Sequence, residues 1–287
     1  MVKIIKGPGR DSQVAKKTMA KQARLAKAPL VEVVFELHWK LHGDNALFRT
    51  DPGVLPLLTT FSAKIGELGF VTTEEMARVE QTIGQSVIRR FRKAPDLAFP
   101  IMQIGSGIFA SNDGPTYEWE AYRKQVLEGI KVLLDAYPKL PGYPLKPDHL
   151  ELRYLDSFDE TLLQTDAFLE FLSRGTEMVI NPPPFLEDQT RFEPNIRGRV
   201  LFNARTKGRK STLFSVDFGT AVHGEGVGFR LESKVVTTGT DVPTLGSPKK
   251  FLSDIEVWLE FAHDLTSPFF KSFIAKELMG KFETTAP

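Results

Sequence analysis

Residues 35–51 read FELHWKLHGDNALFRTD and residues 150–166 read LELRYLDSFDETLLQTD. The two stretches align without a gap at an offset of 115, and six of 17 positions are identical: Glu36/Glu151, Leu37/Leu152, Asp44/Asp159, Leu47/Leu162, Thr50/Thr165 and Asp51/Asp166. Background composition would give roughly one identity in such a window. A second correspondence, at offset 139, pairs Trp119 with Trp258, Tyr122 with Phe261, Val126 with Leu265, Ile130 with Phe269 and Leu134 with Phe273. An internal repeat sets the whole architecture, and the larger second offset implies an insertion in the later copy.

Working outward, Val31, Val33, Phe35, Leu37, Trp39 and Leu41 alternate with Glu32, Val34, Glu36, His38 and Lys40. That period of two predicts a strand with one face on a core, and Leu150, Leu152 and Tyr154 repeat it. Thr-Asp then precedes an apolar stretch in both segments; Asp51 followed by Pro52 predicts an aspartate cap opening a helix. Thr72 and Glu75 have the spacing of a capping box and predict another helix start. The stretches beginning at Trp119 and Trp258 carry apolar residues three and four apart, so an amphipathic helix closes each segment, with Pro268 expected to split the second near Ser267. Residues 97–110 are apolar and contain Gly105 and Gly107, which in a strand signal a bulge or close packing. Residues 198–204, 211–220 and 226–237 read as successive antiparallel strands.

The expected fold is therefore α+β and internally duplicated, two pseudo-equivalent halves each running strand, helix, antiparallel strands, helix. The divisions are a basic arm over 1–29, halves over 30–146 and 147–282 joined at the proline- and glycine-rich 141–147, and a tail over 283–287.

At 287 residues, 41% hydrophobic and 25% charged, the chain is long enough to bury a core without staples. It has no cysteine, which excludes disulfides, thiolate metal sites and cysteine nucleophiles. No apolar run approaches the roughly 20 residues of a bilayer span and no secretory signal is visible, so the expectation is a cytoplasmic protein without membrane contact. Charge is unevenly placed. Residues 1–29 hold eight bases and one acid in a chain whose net charge is only +1. Such a block cannot fold alone, and it suits either a solvated leader or a phosphate-binding arm.

The run Gln103-Ile104-Gly105 with Gly107 and Asn112, then Tyr117-Glu118-Trp119, then Leu152-Arg153-Tyr154 with Asp156, and finally Trp258-Leu259 with His263 and Phe270 resembles a sporadically distributed bacterial TIGR-series family of hypothetical proteins. The resemblance covers roughly residues 29–282. It implies no assigned activity and no catalytic residues, and the family's patchy distribution is similar to that of accessory or defence genes.

The chain shows little chemistry. His38 and His42 are four apart on a strand, where they are separated by about 13 Å, too far to share a metal. Gly105-Ser106-Gly107 lacks the lysine and following helix of a phosphate loop, and there is no nucleophile elbow. No catalytic residue, metal site or cofactor is expected. Two groups of residues remain. Lys16, Lys17, Lys21 and Arg24 of the arm, with Arg205, Lys207, Arg209 and Lys210 at a hairpin tip, would contact nucleic-acid phosphates. Glu36, His38, Glu151, Arg153, His223 and Glu225 would line a groove between the halves. The leading reading is a non-enzymatic binding or regulatory protein whose partner is a protein or nucleic acid. The alternative is an enzyme or small-ligand binder using the groove.

Overall fold

A computed structural model describes residues 29–43, 50–79, 84–159, 168–177, 197–203, 212–223 and 226–283. The alternating stretch forms β1 (Leu30–Trp39). Val33, Phe35, Leu37 and Trp39 on one side of it are completely buried, while Glu32, Glu36 and His38 occupy the other. β1 is the central strand of a nine-stranded antiparallel sheet with the order β2-β3-β4-β5-β1-β6-β9-β8-β7. The remaining strands are β2 (Thr72–Glu75), β3 (Ser86–Arg92), β4 (Ile101–Ser106), β5 (Ile108–Asp113), β6 (Pro147–Phe158), β7 (Arg197–Asn203), β8 (Thr212–His223) and β9 (Gly226–Thr238).

The described helices cover the apolar face, as one-sided amphipathic strands require. α1 (Val54–Gly66) sets Phe61 on Phe91 and Phe109, and α2 (Trp119–Ala136) donates from the Tyr122 hydroxyl to the Ser111 carbonyl at 2.7 Å. α3 (Phe168–Gly175) contributes Leu172, α4 (Pro248–Phe273) sets Trp258 edge-on to Phe35, and α5 (Lys276–Glu283) brings Phe282 to Phe158. One continuous hydrophobic core results, with residues from every helix and from both central strands.

This arrangement corrects the expected duplication into two pseudo-equivalent halves. β1 and β6 are hydrogen-bonded neighbours in one sheet, and the described residues show no two-half repeat of strand and helix. The first segment supplies five strands and the second four; β1 is followed by a helix of 13 residues, whereas the described helix after β6 has eight. The likeness of the two stretches is accounted for by position. Both are central strands with one face under helices and the other polar, and their register sets Glu36 opposite Glu151.

Two local expectations also change. Thr72–Glu75 is not a helix start but the edge strand β2, because Glu74 and Glu75 meet Arg90, Arg92 and Arg89 across the pairing with β3. Those tertiary ion pairs outweigh the local capping signature. Pro268 does not split the closing helix, which runs unbroken through it. Proline removes the N–H that would bond the Asp264 carbonyl, but both residues lie on the exposed side, so that carbonyl is not left in the core. Within 97–110, β4 and β5 form a hairpin turning at Gly107, whose φ of +68° is in the left-handed region. Gly105 marks a close approach, since a Cβ there would lie 1.9 Å from the Ser86 carbonyl oxygen.

The expected aspartate cap is not the cap: the helix opens at Val54 with Gly53 as its N-cap, and Asp51, two residues earlier, accepts from the Gly53 N–H at 2.9 Å. Its larger role is tertiary. The same buried carboxylate accepts from the Trp39 indole N–H at 2.9 Å and from the Tyr137 hydroxyl at 3.0 Å, tying β1 to both ends of the α1–α2 layer.

Candidate functional site

Opposite the helices the sheet carries polar side chains, and at its centre β1 and β6 bring four of the six expected groove residues together. Register alone places Glu36 beside Glu151 and His38 beside His149, with Arg153 one position along. The His38 Nε2 lies 2.8 Å from Glu36 Oε2, and its Nδ1 lies 3.1 Å from the Gln85 amide oxygen. Arg153 reaches both carboxylates, at 3.8 Å from Glu36 and 3.8 Å from Glu151, while His149 is 3.6 Å from Glu151. The two imidazole rings meet edge to face with centroids 4.7 Å apart. This is not a groove between halves. The junction is a pair of hydrogen-bonded strands, so the cluster sits on a continuous sheet surface.

The other two groove candidates are elsewhere. His223 ends β8 opposite Gly226, whereas Glu151 lies opposite Val236, ten residues further along β9 and so about 33 Å away. Glu225 lies outside the described residues, as do Lys16, Lys17, Lys21, Arg24, Arg205, Lys207, Arg209 and Lys210. A further run of bases, Arg89, Arg90, Arg92 and Lys93, on β3 and just after it, is engaged by its neighbours. Arg89 donates to the Leu58 carbonyl and the Ser62 hydroxyl on the helix side, and Lys93 lies over the Phe70 ring.

The central charges organise each other. Burial pushes the Glu36 carboxyl up, but the hydrogen bond and charge of His38, with Arg153 and His149 nearby, bring it below the usual range. Burial pushes His38 down, and the bond and charge of Glu36, then Gln85 and Glu151, more than offset this and raise it. His38 thus holds its proton more tightly folded than unfolded, so its contribution is present below its ordinary 6.5 and is lost as pH rises through the folded value. Glu36 holds its proton less tightly, and its contribution is present above its ordinary 4.5 and lost as pH falls. The pair therefore stabilises the sheet most between those limits. Replacing Glu36→Gln is expected to lower the His38 titration midpoint, read from the ring resonances by NMR; an unmoved midpoint would contradict the ion pair.

Polar side chains recur along this side of the sheet, among the buried apolar Val34, Ala110, Ile108 and Ile101. Glu74 meets Arg90 and Arg92; Gln103 donates to Asn112, which donates to Glu32 at 2.6 Å; Glu232 is flanked by Arg230 and Lys234; and Asp217 holds Arg199. Among the described residues no group of histidines and carboxylates has the geometry to hold a metal ion, and no helix is long and apolar enough to cross a membrane.

A second polar network, which sequence reasoning did not assemble, lies under the helices. The Tyr154 hydroxyl is 2.9 Å from the Tyr117 hydroxyl and 2.9 Å from His263 Nδ1, and Trp119 stacks on the His263 ring at 4.1 Å. Burial, with Lys271 nearby, pushes His263 down to about 4, so its imidazole is neutral at physiological pH. Burial alone raises the adjacent Asp156 to about 7. These residues are among those that carry the family resemblance; their convergence was invisible because it joins β6, α4 and the approach to α2. Comparison with protein-family models finds no match, and comparison with curated proteins finds no significant relative.

Proposed function

We propose that this protein is a non-enzymatic binding protein of the cytoplasm that docks a protein partner on the polar face of its sheet, centred on Glu36, His38, Glu151 and Arg153. The observation that carries this reading is the mosaic of paired charges running from β2 to β7 on the side without described helices. Nucleic-acid binding draws on an excess of positive charge, and here Arg90, Arg92, Arg153, Arg230, Lys234 and Arg199 each have an acid within 4 Å. A protein surface of mixed sign is the complement of such a face, which supplies register and selectivity. The resemblance to a patchily distributed bacterial family supports an accessory or defence setting.

A photo-crosslinking residue placed at Lys234, on this face, tests the reading in extract of the source cells. A discrete protein adduct is expected there and not with the crosslinker at Val257, which is exposed on α4. The added substitution Glu36→Lys should abolish the adduct. An adduct lost on nuclease treatment, or equal labelling from Val257, would overturn it.

A further inference from the structure

The sheet ends differently at its two edges. β2 closes one side with four residues, two of them glutamates engaged with β3. β7 closes the other with seven residues, and Val200, Leu201 and Phe202 in it are 37%, 56% and 48% exposed. β7 is paired only with β8, so the backbone groups along its outer side have no partner among the described residues. Alternation presents Leu201 on the polar face of the sheet and Val200 and Phe202 on the helix side. A long apolar edge with unpaired amides and carbonyls is a template for another strand.

We infer that β7 is an association edge, pairing antiparallel with β7 of a second copy of this chain about a twofold axis at Val200. Charge and shape select this occupant and this register. Arg199 then faces Leu201 of the second copy, Arg197 faces Asn203, and no arginine lies directly opposite an arginine; the two Arg199 side chains are diagonal neighbours. Parallel in-register pairing would oppose like charges along the strand, which is destabilising. Arg199 is already neutralised by Asp217 on β8, so closing the edge strands no charge there. Gly198 faces Phe202 of the second copy, and the space above Gly198 is filled by the Phe218 ring, 2.1 Å from where a Cβ would stand. The incoming ring therefore meets an aromatic surface, continuing the stack that Phe202 makes with Phe214 at 5.8 Å. Two nine-stranded sheets become one, by contacts distinct from those of the central charge cluster.

The full chain has no cysteine, which allows a clean test of the register. Directly opposed strand residues have Cα atoms about 4.5–5.5 Å apart, within disulfide reach, so Val200→Cys should oxidise to a covalent dimer. The control Val71→Cys, 71% exposed and remote from β7, should not. Sedimentation velocity of the unmodified 32.2 kDa chain should show dimer forming between about 1 and 100 µM, a range typical of modest interfaces. Leu201→Lys, which keeps strand geometry on an exposed position, should weaken association by at least about tenfold without lowering the melting temperature. A chain that stays monomeric throughout that range, a Val200→Cys protein that crosslinks no faster than Val71→Cys, or association unaffected by Leu201→Lys would each overturn the inference.

Discussion

Replacing Asp51→Ala is expected to destabilise the protein by about 3–5 kcal/mol, measured as the loss of unfolding free energy in urea. The carboxylate is buried and accepts from the Trp39 indole, the Tyr137 hydroxyl and the Gly53 backbone N–H. Truncation strands three donors at once, in a position that water cannot readily enter. The cost exceeds that of an ordinary helix cap, about 1 kcal/mol, because three buried donors lose their acceptor together. A double-mutant cycle with Trp39→Phe separates the parts. Once the indole N–H is gone, removal of Asp51 should cost measurably less, since one stranded donor no longer exists. A loss no larger than that of a simple cap, or strict additivity with Trp39→Phe, would show that the carboxylate does not hold β1 to the helix layer.

Trp258→Ala should cost about 3–5 kcal/mol, and Trp119→Ala distinctly less. Sequence periodicity treats the two tryptophans as equivalent openings of apolar stripes, each against the sheet of its own half; the structure does not. Trp258 is completely buried, donates to the Thr237 hydroxyl at 2.8 Å and lies edge-on to Phe35 of β1. Its truncation opens a cavity under the centre of the sheet and removes one of the two hydrogen bonds of the buried Thr237 hydroxyl, leaving the one with Thr212. Trp119 is half-buried and rests on His263 of α4 instead of the sheet, with its N–H directed to Glu260. Thermal unfolding of the two variants side by side distinguishes these roles, and equal losses would restore the equivalence.

The parts of the fold that were legible in the chain are those fixed by nearest neighbours along it. The alternation around Phe35 and Leu152 identified β1 and β6 and sorted Glu36, His38, Glu151 and Arg153 onto one side. The threefold and fourfold spacings after Trp119 and Trp258 identified α2 and α4. What periodicity cannot encode is which edge a strand offers to which partner, so two strands of like pattern read as two sheets when they are neighbours in one. Thr72–Glu75 was misread because the arginines that hold it extended come from β3. Tyr117, Tyr154 and His263 were each visible, but their meeting depends on α2 and α4 packing side by side, which Arg123 secures through Glu256 and Glu260.

The central pairing of β1 with β6 joins residues as far apart in the chain as Glu36 and Glu151, and it bears on how the protein is made. While the nascent chain emerges, β1 can be zipped to β5 on one side, but its other edge stays open until Phe158 has left the ribosome. Closing so long a loop carries an entropic cost that no local contact repays in advance, which places the domain among slow, high-contact-order folders. Throughout that interval Phe35 lacks the Trp258 ring that covers it in the finished sheet. The vulnerable species is therefore a translation intermediate and not the finished molecule. Variants that weaken the β1–β6 register should accumulate as aggregates during synthesis out of proportion to their loss of equilibrium stability.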